Sequence, residues 1–406
     1  MQPRLDALIA ARSVDCFQID KGATPLDGPS TIGDCMDGIV AAAKPYNRAI
    51  PRRPRPLTHT VTLQASGKRF RVEAGESVLE AARRAGLALP YSCLAGVCGS
   101  CKASLVEGEC TYPRNPPSAL SASERMRGQV LLCQAVPASD LVIAAREVAS
   151  VADLPRRVLT LRLVDKTLLG EDVAKLILVS ARGERLRRLP GQYLDVLLDD
   201  GRRRAFSIAN APHDDDTIEL HVRRVSGGGF TTQVFDAMRP GAKLRVEGPL
   251  GTFVPREDSE RPMLLMAGGT GFAPIKALVE HFLHLGTRRR MTLYWGARTP
   301  ADLYLPGLPE RWARDVATFR FVPVVSDIEQ AGALRSGLVH EALLEDHPRL
   351  DDVDVYMSGP PTMIDAGRHA FVDAGLPEER LYYDSFDYAP EVIAQILASR
   401  AGIHGL

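Results

Sequence analysis

The sequence predicts a multi-domain chain of mixed α+β and α/β class, and three stretches of pattern carry that prediction. Two alternating apolar runs precede a capped helix between Thr58 and Gly86. From about Arg156 to Pro255 short alternating runs follow one another with turns between, and from Pro262 strand-like runs alternate with helical ones. A chain of 406 residues suits about two to four domains, each large enough for its own core. Lys plus Arg and Asp plus Glu number 50 each, so nothing draws the chain as a whole to nucleic acid or to an anionic membrane. DALIAARSVD near Met1 is too interrupted by charge for a signal peptide, and about eighteen uninterrupted apolar residues occur nowhere. A cytoplasmic protein with no nucleic-acid or membrane partner, working as a monomer, is expected. In that reducing compartment clustered cysteines bind metal or do redox chemistry more often than they form disulfides.

Residues 1–57 read as an N-terminal extension ending in PYNRAIPRRPRPL, where Pro45, Pro51, Pro54 and Pro56 forbid a continuous helix and favour an extended linker. TIGDCMDGIVAAAK ahead of it fits a short helix, and Cys16 and Cys35 lie there without close ligand spacing. The first domain is expected over 58–148. HTVTLQAS and KRFRVEAG put Val61, Leu63, Phe70 and Val72 on the apolar beat of two paired strands. Ser77 and Glu80 have capping-box spacing for a helix through VLEAARRA that stops at Gly86.

Next comes YSCLAGVCGSC, with Cys93, Cys98 and Cys101 spaced C-x4-C-x2-C, and Cys133 follows in VLLCQA after a long segment. Thiolates suit iron–sulfur clusters because soft, anionic sulfur binds both ferric and ferrous iron, and this spacing is that of plant-type 2Fe-2S sites. Gly96 and Gly99 between the ligands are expected to let backbone amides turn toward the cluster sulfurs. Structural zinc would use two C-x2-C pairs, whereas the one thiol near Cys133 is Cys110, at the wrong offset. Cys110, in KASLVEGECTY, reads as an ordinary half-buried thiol on a strand. With the C-x4-C-x2-C loop, GSCKASLVEGE and LLCQAVPASDLVI, the segment resembles the plant-type ferredoxin domain. That resemblance implies a β-grasp fold that carries one electron at a time.

Over 156–256 the runs VLTLRLVD, AKLILVSA, QYLDVLL and TIELHVRRV predict an antiparallel barrel. RRRAFSIANAP carries R-x-F-S at Arg204, Phe206 and Ser207, similar to the R-x-Y-S motif of the ferredoxin-NADP reductase family of flavoproteins. The phenylalanine keeps a flat apolar ring but lacks a hydroxyl. By that resemblance Arg204 would neutralise a flavin phosphate, Phe206 cover one ring face and Ser207 hydrogen-bond near N5, where hydride arrives. LHVRRVSGGGFTTQVF extends the likeness with Val222, Arg223, Gly228, Gly229 and Thr231, whose bare backbone and helix start suit a pyrophosphate, although SGGGF alone could be a flexible turn.

The third domain is expected over 261–390, a parallel sheet covered on both faces, with a C-terminal helix or tail over 391–406. LLMAGGTGFAPIKAL gives strand, glycine turn and helix at Gly268, Gly269, Thr270, Gly271 and Pro274, an order that lets a dinucleotide phosphate approach the backbone at a helix N-terminus. By resemblance to the family's nicotinamide domain, Gly359, Pro360 and Pro361 of YMSGPPTM would line the nicotinamide. Phe386 of YYDSFDY would be the C-terminal aromatic near the flavin, so Ser207 and Phe386 are the residues expected at the reacting ring. Arg298 and Asp302 of LYWGARTPADLY face the expected adenine ribose. Arg298 could accept a 2'-phosphate and Asp302 would repel one, which favours NADH while leaving NADPH open. His281 and His284, at i, i+3, read as a solvated helix face.

Nicotinamide gives up two electrons as a hydride and a 2Fe-2S cluster accepts one, so an intervening flavin, FAD, is expected to divide the pair. The chain from Thr58 to about Tyr388 resembles the reductase component of bacterial ring-hydroxylating oxygenases. It resembles equally the CDP-6-deoxyglucoseen reductases, both being NAD(P)H-dependent iron–sulfur flavoprotein reductases. The resemblance implies a terminal oxygenase or another one-electron acceptor protein as partner. An alternative of a different class is a redox sensor or interaction module using the extension.

Overall fold

In a computed structural model, residues 58–113, 117–148, 151, 154–225 and 229–386 are described. The extension 1–57 with its linker, expected helix, Cys16 and Cys35, the glycine Gly228 and the tail beyond Phe386 lie outside them.

The first sheet is built from β1 (His59–Leu63), β2 (Arg69–Val72), β3 (Lys102–Glu107), β5 (Gln129–Leu131) and β7 (Leu141–Ala144), in the order β2-β1-β7-β3-β5. β1 and β2 pair antiparallel with Val61 opposite Phe70, whereas β1 and β7 run parallel. Helix α1 (Val78–Arg84) covers this sheet. The Ser77 side chain accepts from the Glu80 amide while Glu80 reaches back to Ser77, satisfying two donors at the helix start. A second capping box, Ser121 with Glu124, opens α2 (Ala122–Met126). KASLVEGECTY is not one strand. It breaks at Gly108, and β4 (Cys110–Thr111) pairs instead with β6 (Val136–Pro137) in a separate ribbon, leaving Cys110 half-buried.

The second sheet is antiparallel and six-stranded. It contains β8 (Arg157–Leu168), β9 (Val173–Ser180), β10 (Tyr193–Leu197), β11 (Arg203–Ser207), β12 (Ile218–Arg223) and β13 (Lys243–Leu250), ordered β11-β10-β13-β8-β9-β12. A bridge between Ile208 and Leu220 joins its two edges, so the sheet closes into the expected barrel around Leu161, Leu176, Leu194, Leu220 and Val246. Helix α3 (Gly229–Asp236) plugs one end with Phe230 and Val234.

The third sheet is wholly parallel, with β14 (Met263–Gly268), β15 (Met291–Ala297), β16 (Phe319–Val325), β17 (Arg335–Ser336), β18 (Asp354–Gly359) and β19 (Leu381–Ser385) ordered β17-β16-β15-β14-β18-β19. Helices α4 (Phe272–His284), α5 (Gly307–Asp315), α6 (Val339–Asp346) and α7 (Pro361–Asp373) cover it. β14 is buried along its whole length, as a strand sandwiched between helix layers must be. The chain winds outward in opposite directions from β14 and β18, so the crevice beyond Gly268 and Gly359 is a topological switch point. At the opposite end of the strands Arg289 pairs with buried Asp354 at 2.7 Å and donates to the carbonyls of Arg256 and Arg261 at 2.8 and 2.7 Å. Among the described residues no helix is long and apolar enough to cross a membrane.

Gly271 closes the 3-10 turn Gly269–Gly271 between β14 and α4, and a Cβ there would overlap the Ser358 carbonyl of β18. Gly271→Ala is therefore expected to force the two strands apart at the switch point and cost about 1–3 kcal/mol of stability. A lowered thermal midpoint with the barrel's ligand protection unchanged would show this.

Candidate functional site

The switch-point crevice faces the barrel, and between them lies a cavity of about 900 Å³. Arg204, Phe206 and Ser207 of β11 line one wall, with Arg223 from the end of β12 and Thr231 from α3. Gly268, Gly269, Thr270, Pro360, Arg298 and Phe386 line the other, and Cys93 enters at one end. The residues of three separate motifs thus share one enclosure.

Several other expected residues do not reach the cavity. The Val222 side chain is fully buried in the barrel core, because alternation along β12 turns Arg223 outward and Val222 inward. Gly229 starts α3 without lining the cavity, and Pro274 is packed in the first turn of α4. Gly271 and Gly359 act by absence of bulk, since a Cβ on Gly359 would come within 3.1 Å of the Gly268 backbone. Pro361 opens α7 and lines a smaller cleft of about 320 Å³ together with Cys98, Lys102 and Arg368.

Phe206 packs at a tilt on Phe230, with ring centroids 5.5 Å apart, leaving an apolar platform on the cavity wall. The Thr231 hydroxyl accepts from the Val225 amide at 3.2 Å, tying down the turn before α3. Arg223 ion-pairs with Asp172 at 2.5 Å and lies 3.7 Å from Asp302, so it spans from the barrel to the turn after β15. Asp302 accepts from the Thr299 amide and hydroxyl at 3.0 Å and faces exposed Arg298 at 3.6 Å. The Phe386 amide donates to the Gly359 carbonyl at 3.0 Å, which fixes the ring's strand end beside Pro360.

The four thiols associate as two pairs, Cys93 with Cys98 and Cys101 with Cys133. Two such pairs suit a cluster of two irons, one pair to each. The Cys98 hydrogen bond holds Cys93 down at about 6, whereas that same bond, followed by burial, pushes Cys98 well up. Amides aimed at sulfur include those of Ala95, 3.3 Å from Cys93, and Ser100, 3.4 Å from Cys98. Gly96 and Gly99 contribute positive φ values of 80° and 79° that let the loop coil.

Asp384 has no counterpart among the expected residues. It is buried on β19, and its two oxygens divide between Ser92 Oγ at 2.5 Å and Ser207 Oγ at 3.4 Å. Burial raises its pKa to about 6 against the two hydroxyl bonds. An acid two residues before Phe386, directly after the apolar LYY, was the available signal. On the cavity lining His221 bonds Tyr304 at 2.9 Å and Glu219 at 2.7 Å, and Glu219 meets buried Lys276 at 3.3 Å. His281 pairs with Glu257 at 2.8 Å and His284 stacks on His213 at 3.9 Å, so neither is a bare solvated ring.

Comparison with known proteins gives three consecutive matches to family models. They are a 2Fe-2S iron-sulfur cluster binding domain over 61–138, an oxidoreductase FAD-binding domain over 160–254 and an oxidoreductase NAD-binding domain over 265–369. Reductase component 1 of terephthalate 1,2-dioxygenase from Comamonas sp is 36% identical over 337 residues, covering 82% of this chain and 99% of that one. This chain belongs to the family of NAD(P)H-dependent iron–sulfur flavoprotein reductases. As an iron–sulfur flavoprotein reductase it is an oxidoreductase whose cofactors are FAD, NAD(H) and a 2Fe-2S cluster. The CDP-6-deoxy-L-threo-D-glycero-4-hexulose-3-dehydrase reductase of Yersinia pestis is also 36% identical, over 330 residues covering 81% of this chain and 99% of that relative. Among solved structures, an Amycolatopsis cytochrome P450 reductase aligns with a TM-score of 0.64 at 36% identity, covering 81% of this chain and 98% of its own.

Burial would raise Glu219, but the His221 bond and the Lys276 charge outweigh it and hold the carboxyl at about 2. A depressed carboxyl contributes stability above its unfolded value near 4.5 and loses it as pH falls toward 2, here about 3 kcal/mol in all. Glu219→Gln is expected to lower the thermal midpoint at pH 7, with the gap to the parent narrowing steadily below pH ~4.5.

Proposed function

We propose that this reductase takes hydride from NADH and passes single electrons to a partner oxygenase. The observation that supports this is the one cavity shared by Cys93, the R-x-F-S strand and the glycine ends of β14 and β18. Bound FAD accepts an electron pair and releases electrons singly, and the cluster carries one at a time. Cys93, Cys98, Cys101 and Cys133 hold the cluster, and Ala95 and Ser100 donate hydrogen bonds that stabilise its negative charge. Arg204 neutralises flavin phosphate, Phe206 supports one ring face, and Thr231 with α3 addresses the pyrophosphate. Gly268, Gly269 and Thr270 admit the dinucleotide to close backbone range, and Pro360 and Phe386 keep water off the reacting ring. Ser207 would hydrogen-bond the flavin ring, with Asp384, which its hydroxyl reaches at 3.4 Å, orienting that hydroxyl.

The reading puts the protein in the cytoplasm, where NADH is found, and needs one chain only, since all three sites lie within it. The comparably similar Yersinia relative supports a second reading, electron donation to a deoxysugar dehydrase. A sensor role for residues 1–57 rests wholly on residues outside those described.

Cys98→Ser is expected to abolish NADH-dependent cytochrome c reduction while ferricyanide, reduced at the flavin, still turns over at near the parent rate. Loss of both activities with flavin retained would contradict this order of carriers. For the nucleotide, Asp302→Ala removes the carboxylate beside Arg298. The ratio of kcat/KM for NADPH over NADH is then expected to rise roughly tenfold, a change of about 1.4 kcal/mol.

A further inference from the structure

The two residues that lead into Cys93 are carried by the barrel. The Tyr91 amide donates to Thr252 Oγ1 at 2.8 Å, and the Thr252 hydroxyl and amide donate back to the Tyr91 carbonyl at 3.0 and 3.3 Å. One position on, Tyr193 Oη donates to the Ser92 carbonyl at 2.8 Å. Both barrel residues are only 8% exposed, so these bonds are shielded from water. Tyr193 sits on β10 directly opposite Ser207 of β11, so its hydroxyl spans from the R-x-F-S strand to the peptide bonded to Cys93. Its ring has room because residue 251 is glycine, with φ of 89°, where a Cβ would meet the ring at 2.9 Å. These contacts do not hold the first domain alone. Arg146 donates to the Glu379 carbonyl at 2.9 Å, and Glu124 pairs with Arg368 at 3.2 Å, both on the third domain.

We infer that Tyr193 and Thr252 are positioning residues for flavin-to-cluster electron transfer, fixing the Tyr91–Ser92 segment so that Cys93 is presented to the flavin wall of the cavity. This rests on the proposed function, in which Cys93 ligates the cluster and FAD occupies the barrel side. In the step concerned one electron leaves the reduced flavin and one ferric iron of the cluster becomes ferrous, and no covalent bond forms or breaks. Electronic coupling falls steeply with separation. A small retreat of Cys93 therefore slows this step and leaves hydride delivery, which does not involve the Tyr91–Ser92 segment, as it was.

Thr252→Val and Tyr193→Phe holoproteins, mixed rapidly with NADH, separate the two events. Bleaching of the flavin band is expected at the parent rate in Thr252→Val. Appearance of the reduced-cluster electron paramagnetic resonance signal should slow roughly tenfold to hundredfold in both variants, its g-values unchanged. Hydrogen exchange at the Tyr91 amide should quicken in Thr252→Val, and Thr252→Ser should restore both exchange and electron transfer. Parent-like cluster reduction in both variants, with Tyr91 exchange accelerated in Thr252→Val, overturns this inference alone. Parent protein whose flavin is not bleached by NADH overturns the proposed function and this inference with it.

Discussion

A single buried carboxylate ties the three domains at one point. Asp384 is supplied by the parallel sheet, and its oxygens reach Ser207 of the barrel and Ser92 beside the cysteine loop. A group so far from water is tolerated because hydroxyls satisfy it on both sides and because it protonates more readily than an exposed acid. Around it the sequence supplies bulk and bareness in turn: Phe206 and Phe386 as flat walls, glycines where strand ends of the parallel sheet nearly touch. The enclosure exists because no one domain closes it.

Much of this was legible in the sequence because it is local. The capping box at Ser77 reaches only to Glu80, and the turn after β14 announces itself by consecutive glycines. The thiol spacing is legible for the same reason, since three of the four thiols sit on one loop. The strand alternation failed where a local break intervened: Gly108 ended β3 early, and no count of apolar residues in KASLVEGECTY reveals that.

What stayed hidden depends on long-range partnership between ordinary residue types. Ser92 and Asp384 are 292 residues apart, and Tyr91 and Thr252 are 161 apart. Serine, threonine and tyrosine are common enough that nothing marks these as interfacial. Sidedness was similarly out of reach at Val222 and Pro361, where the motif located a neighbourhood and the pleat or the helix start decided which way each side chain faced. The polar seams between domains follow the same logic. Glu219 with Lys276, and Glu124 with Lys102 and Arg368, are charged clusters that gain meaning only once the barrel and the two sheets are brought together.

The Arg289 pair with Asp354 sits at the end of the parallel sheet remote from the cavity, and the same guanidinium grips the connecting segment at Arg256 and Arg261. A cation already engaged by one acid and two carbonyls is costly to unseat. That corner therefore clamps the segment leaving the barrel onto the strand starts, so the anchorage of the parallel sheet lies a full strand length away from Gly268 and Gly359.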